Sequence, residues 1–228
     1  MRKSAIFLFF VTFCLTILGL SAQGGIAVPP QTARTKVKTE EKQKTEDSKQ
    51  RPVAKSKVYL LHSDLLRKDA SHPDAQIVTG NVKFRHDSVY MYCDSACYYD
   101  KVSSFEAFGN VKMVQGDTLF LYGDRLYYDG LTQIAEMRCN VRMENRTTTL
   151  LTDSLNYDRV YNLGYFFDGG TLMDEQNVLT SEWGEYSPQT KQSVFNYNVK
   201  LVNPQFTLTS DTLRYNTASK IADIVGPS

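Results

Sequence analysis

Acidic residues return along this chain at a nearly constant interval: Asp64, Asp94, Asp124, Asp153, Glu182 and Asp211 are separated by 30, 30, 29, 29 and 29 residues. Each brings the same neighbours. Three residues earlier stands Leu61, Met91, Leu121, Leu150, Leu179 or Leu208, and immediately before it Ser63, Cys93, Gly123, Thr152, Ser181 or Ser210. Tyr99, Tyr128, Tyr157, Tyr186 and Tyr215 follow at 29-residue intervals, the first reached through one extra residue after Asp94 that is a bulge candidate. A second column opens most copies: Gly80-Asn-Val-Lys-Phe, Gly109-Asn-Val-Lys-Met, Cys139-Asn-Val-Arg-Met and Tyr197-Asn-Val-Lys-Leu. Self-similarity at a fixed period means that each copy is one supersecondary unit, burying its apolar face against its neighbours.

Inside a copy the apolar residues alternate, as in Val82/Phe84, Val111/Met113 and Val141/Met143, and no stretch sustains the 3.6-residue period of a helix, so the units are strands. Turn-forming clusters such as Gln115-Gly-Asp, Asp129-Gly and Asp168-Gly-Gly separate them. Counted from the acid, apolar positions fall at −5 and −3 but then at +2 and +4, a change of parity. A strand that keeps one face inward must bulge or bend there. The small residue before the acid gives the backbone room to turn.

Pairs such as Asp94/Asp100, Asp124/Asp129 and Asp153/Asp158 resemble a general acid and base, but an active site needs one special constellation and these recur. The expectation is architecture, with no catalytic residues and no enzyme. His62, His72 and His86 are scattered without ligand spacing, so neither a metal nor a cofactor is expected. Cys93 and Cys97, four residues apart on a strand, would lie about 13 Å from each other, so a disulfide, whose Cα atoms sit within about 7 Å, would need a sharp bend between them. Asn145-Arg-Thr is an isolated glycosylation-type triplet and carries no weight.

Charge divides the chain. Over 228 residues the net is +1, which excludes a basic nucleic-acid binder, yet Gln23 to Lys57 holds nine basic and four acidic residues, while Val58 to Ser228 holds 15 basic and 21 acidic ones. Met1 to Ala22 has a basic start (Arg2, Lys3), an apolar run and a small-residue ending at Leu20-Ser-Ala22. It reads as a secretory signal cleaved after Ala22, placing the mature chain in the periplasm, with an uncleaved anchor as the alternative, since the apolar run is only a little short of the roughly 20 residues that span a bilayer. Residues 23–57, polar and charged with little to bury, read as a disordered linker, leaving 58–228 as the folded domain.

Gly-Asn-Val-x-apolar, followed by Asp-Thr-Leu-x-Leu-x-Gly-Asp-x-Leu-x-Tyr-Asp and an apolar-Ala stretch, best seen in Gly109 to Ala135, resembles the OstA-like or LptA-like lipopolysaccharide-transport family. Glu182-Trp-Gly-Glu-Tyr and Asp168-Gly-Gly depart from that pattern. The resemblance implies an all-β fold, a repetitive antiparallel β-jellyroll or folded-over sheet of about six copies, around an apolar slot. It implies a lipid-binding carrier or bridge component of lipopolysaccharide transport to the outer membrane. Its partners would be the acyl chains of lipopolysaccharide and similar jellyroll domains joined by edge-strand addition. The shared columns put Val111, Met113, Leu121, Leu126, Tyr128, Val141, Met143, Leu150, Leu155 and Tyr157 in that slot, with Tyr128 and Tyr157 nearer its rim and their hydroxyls wet. A parallel β-solenoid, as a structural or polysaccharide-binding envelope protein, would also show apolar columns at a fixed period.

Overall fold

The computed structural model describes residues 56–69 and 72–226. The signal reading of residues 1–22 falls outside the described residues, as does the linker reading up to residue 55.

The strands are β1 (Tyr59–His62), β2 (Leu65–Asp69), β3 (His72–His86), β4 (Val89–Tyr99), β5 (Ser104–Gln115), β6 (Leu119–Asp129), β7 (Ile134–Asn145), β8 (Thr148–Asp158), β9 (Leu163–Phe166), β10 (Gly170–Asp174), β11 (Asn177–Ser181), β12 (Trp183–Tyr186), β13 (Gln192–Asn203), β14 (Phe206–Asn216) and β15 (Ile221–Ile224). All belong to one sheet. Every pairing in it is antiparallel, which overturns the parallel solenoid, since a parallel coil needs parallel neighbours.

The long strands break register midway, where the sequence parity changes. Between β5 and β6, Phe108 faces Arg125 and Val111 faces Gly123, so Gly109-Asn110 stands opposite Asp124 alone. The same two-against-one bulge puts Gly80-Asn81 opposite Asp94, Cys139-Asn140 opposite Asp153 and Tyr197-Asn198 opposite Asp211. Both residues of each pair are left-handed, with φ from 46° at Asn110 to 80° at Gly80. Two consecutive left-handed residues turn the strand sharply, and asparagine is among the few side chains that tolerate this. The interior face survives the turn: Leu119, Leu121 and Gly123 are buried before the corner, Leu126 and Tyr128 after it, while Asp124 and Arg125 both face water.

Each strand is thereby divided into a first arm, ending at the turns near residues 87, 117, 146, 175 and 204, and a second arm, ending near residues 101, 131, 160, 189 and 218. The arms meet at a corner fastened by the two sequence columns. Asn81 Nδ2 donates to Asp64 Oδ2 at 2.9 Å, Asn110 Nδ2 to Asp94 Oδ2 at 2.8 Å, and Asn140 Nδ2 to Asp124 Oδ2 at 2.5 Å. Asn198 repeats the bond with Glu182 at 2.5 Å. The recurring carboxylates therefore hold a bend, and Asp124 and Asp129 sit at opposite ends of one arm, about 16 Å apart on an extended strand.

The copy that departs from the family pattern is also where strands are interrupted. The Asp168-Gly-Gly segment separates β9 from β10, and Glu182 separates β11 from β12. Phe166 packs where Gly170 and Gly184 leave room, since a Cβ at either would come within 2.6 Å of its ring. Gly169 stands in place of the asparagine, so Asp153 takes the backbone N–H of Asn140 at 3.1 Å instead.

One column reading needs correction. The first tyrosine of the series is Tyr98, 5% exposed and facing Phe105, rather than Tyr99, which points outward. Asp94 and Tyr98 have the spacing found at Asp124 and Tyr128, so β4 carries no extra residue. The surplus lies in the longer turn between Gln115 and Leu119, where Gly116 adopts φ 64°. Cys93, Cys97 and Cys139 are free thiols, and burial pushes Cys93 up to about 12.

Candidate functional site

The two arms enclose a single apolar core. Val111, Met113, Leu121, Leu126, Tyr128, Val141, Met143, Leu150, Leu155 and Tyr157 all belong to it, none more than 2% exposed. Alternation is the cause: Val111 and Met113 point inward while Lys112 between them points out, and cross-strand pairs such as Met113 with Leu121, Leu121 with Met143 and Met143 with Leu150 carry the row from strand to strand. Phe84 and Phe105 stack at 4.1 Å between ring centroids. These side chains fill the space between the arms in this structure. A ligand entering there would have to part them.

The interior has two long sides. One is the corner, closed by the continuous chain. The other is the mouth, where the free ends of the arms face each other, and it is closed by side chains. Tyr128 OH lies 2.6 Å from His86 Nδ1, and Tyr157 OH donates to Asn162 Oδ1 at 3.2 Å, an oxygen that also accepts from Gln115 Nε2 at 2.8 Å. Tyr186 OH donates to Asn145 Oδ1 at 3.4 Å, and Tyr215 OH to Asp174 Oδ2 at 2.7 Å. Three of these bonds join the last inward tyrosine of a second arm directly to the final residue of a first arm some forty positions earlier, and Tyr157 reaches Gln115 through the shared Asn162 oxygen. Tyr128 and Tyr157 stand at the mouth with their hydroxyls hydrogen-bonded and buried, so the wet hydroxyls expected of them are not found.

A third residue completes most of these clasps. Arg159 donates to both Tyr128 OH and His86 Nδ1, the latter at 3.1 Å, Lys191 reaches Asn145 Oδ1, and Lys220 Nζ lies 2.6 Å from Asp174 Oδ1. Asn162, Lys191 and Lys220 are left-handed residues, at φ 51°, 64° and 61°, at equivalent places in successive second-arm turns.

The clasps differ electrostatically. Burial, then the charge of Arg159, pushes the His86 imidazole below its ordinary value. Because Nδ1 is met by the donors Tyr128 and Arg159, the ring's proton is assigned to Nε2, which lies 2.9 Å from Ser56 Oγ. A second proton would point at the guanidinium. Burial raises Tyr128 to about 12 against the opposing pull of Arg159. Burial would lower Lys220, yet its hydrogen bond and charge contact with the fully buried Asp174 outweigh that and hold it raised.

His86, Gln115, Asn145 and Asp174 are separated by 29, 30 and 29 residues, a column as regular as the acids. Their chemical identities differ, so residue matching alone passes over them. The signal was the spacing and the shared ability to meet a phenol.

The OstA-like protein family model matches residues 55–211. No curated protein matches the chain. Among solved structures, a match covers 46% of this chain and 80% of LptH, described as the LptA-homologous periplasmic component of the lipopolysaccharide transport device of Pseudomonas aeruginosa, at 13% identity and a TM-score of 0.43.

Proposed function

The chain belongs to the OstA-like protein family, and from that premise we propose that it is a periplasmic, non-enzymatic component of lipopolysaccharide transport that shelters acyl chains between its arms. The observation that carries this reading is the unequal closure of a continuous apolar interior: covalent chain along the corner, side-chain hydrogen bonds along the mouth. A typical net hydrogen bond contributes about 1 kcal/mol. Each acyl CH₂ removed from water is worth about 0.8 kcal/mol, so a chain of some ten carbons supplies about 8 kcal/mol against the few clasps it parts. Lateral entry through the mouth is within reach of that difference, whereas separating the arms at the corner would require unmaking the sheet.

Bridge assembly with similar domains belongs to the same proposal. The edges of the sheet expose apolar side chains, with Leu65 54%, Leu66 48% and Ile221 57% accessible. Among the described residues the half-strand 206–210 of β14 pairs on one side only. Such an edge offers free N–H and C=O groups to an added strand.

A photo-crosslinking residue at Leu121 or Leu150 should trap acyl chains in cells, while one at Thr149 or Tyr127, of outward parity, should not. Equal labelling inside and outside, or none, would overturn the carrier reading.

A further inference from the structure

The outward face of the first arm carries an ordered row that the apolar interior does not use. On adjacent strands β3 to β7, Lys83 faces Tyr92, Tyr92 faces Lys112, Lys112 faces Tyr122 and Tyr122 faces Arg142. Cation and aromatic ring alternate across the sheet. Lys83 Nζ lies 5.5 Å from the Tyr92 ring centroid, Lys112 Nζ 5.6 Å from that of Tyr122, and the Arg142 guanidinium 4.3 Å from the same ring. Strands are spaced about 4.8 Å apart, so the cations recur about every 10 Å along a straight line.

Two observations set this face apart. Among the described residues neither Lys83 nor Lys112 has a carboxylate partner, and only Arg142 forms an ion pair, with Glu144. The outward face of the second arm, by contrast, mixes Glu106, Glu136 and Glu185 with Arg125, Arg138 and Arg214. A positive row therefore persists on a domain whose total is acidic. At its β3 end the row also opens into a recess of about 320 Å³ lined by Lys83 and Tyr92 together with His62, Asn81, Asp94 and Asn110. Asp94 within it is already bound by Asn110.

We propose that this row binds an anionic saccharide chain laid across β3 to β7, its phosphate or carboxylate groups on Lys83, Lys112 and Arg142 and its sugar rings against Tyr92 and Tyr122. Half-buried rings fixed between cations suit the flat apolar face of a pyranose, and fixed ammonium and guanidinium groups suit anions of regular spacing. A linear, evenly spaced row matches an extended polymer. A fluid membrane would demand no such order. The site lies on the opposite surface of the sheet from the acyl interior, so a glycan can be held outside while the interior is full or empty.

The test titrates the full mature chain with a deacylated, phosphorylated oligosaccharide, its dephosphorylated counterpart, and vesicles of phosphatidylglycerol. Saturable binding of the phosphorylated oligosaccharide is expected, weakened about tenfold by Lys112→Gln and comparably by Tyr122→Leu. Lys200→Gln, on the same face but outside the row, should leave it unchanged, and thermal midpoints should show that all three variants fold. Equal affinity for the dephosphorylated sugar, equal loss with Lys200→Gln, binding to vesicles alone, or no binding would each overturn the proposal. Acyl crosslinking from Leu121 should persist in Lys112→Gln, so the failure of one reading is distinguishable from the failure of the other.

Discussion

The corner and the mouth are the two long sides of one interior, and they are built on different rules. At the corner a single chemistry recurs: an asparagine in the left-handed region donates to a carboxylate sixteen or seventeen residues earlier. At the mouth the tyrosine recurs but its partner passes from His86 through Asn145 to Asp174. A bend in the backbone admits few side chains, whereas a phenol accepts any polar group that reaches it. Fixed residues therefore mark the side that must hold, and variable ones the side on which opening is least costly.

The sharpest test of the corner is Gly123→Leu. A Cβ at Gly123 would already come within 2.7 Å of Met137 Cγ, so the substitution should cost about 3 kcal/mol, the upper end for overpacking, and lower Tm by roughly 6–12 °C. Adding Met137→Ala should restore part of the loss. A Tm unchanged by Gly123→Leu would break the claim that the small residue is needed for the turn.

Asn110→Ala should follow at about 1–2 kcal/mol, because alanine both loses the bond to Asp94 and is strained at φ 46°. Chemical denaturation with unchanged m would register it as a loss of stability. If Asn110→Ala cost less than Tyr186→Phe at the mouth, the ranking of the two sides would be reversed.

The mouth should respond to pH through His86. The folded-state pKa of His86 is below its unfolded value of 6.5, so the unfolded chain takes up a proton first. Stability is fully present above about pH 6.5 and is lost as pH falls below it, by at most about 1.4 kcal/mol per pH unit. His86→Gln, which copies the residue of the neighbouring clasp at Gln115, should remove this component of the Tm difference between about pH 7.5 and pH 5.5. Identical pH profiles for the two proteins would remove His86 from the account.

The smallest effect is expected from Gly169→Asn. A Cβ there meets nothing closer than Ser181 O at 3.9 Å, and asparagine tolerates the left-handed region, so the change should stay within about 0.5 kcal/mol. Restoring the asparagine–carboxylate pair with Asp153 should show as slower amide exchange around that corner.

The strand class, the corner and the architectural role of the acids could be read from the chain, because parity and period survive substitution. Their partnership with Asn81, Asn110, Asn140 and Asn198 could not, since the hydrogen bond joins columns half a period apart and exists only once the strand folds back. Tyr99 was the natural choice on an exact count of 29 residues. The acid sets the frame at Tyr98, and the surplus residue sits in a distant turn. The mouth column stayed hidden because histidine, glutamine, asparagine and aspartate share a capacity rather than a structure. Val111 through Tyr157 were legible as inward residues, while the same alternation also made Lys83, Lys112 and Arg142 look like ordinary solvent-facing positions.

Each strand finds its pairing partners close by in the chain, so among the described residues no strand pairing ties one end of the array to the other. Two strands make one period, and at about 4.8 Å per strand each 29-residue unit advances the sheet by about 10 Å. Such a polypeptide has a tunable length: duplicating or deleting one unit would change its reach by a fixed step while leaving every corner and clasp chemically complete. Reach, in a design of this kind, is counted out in copies.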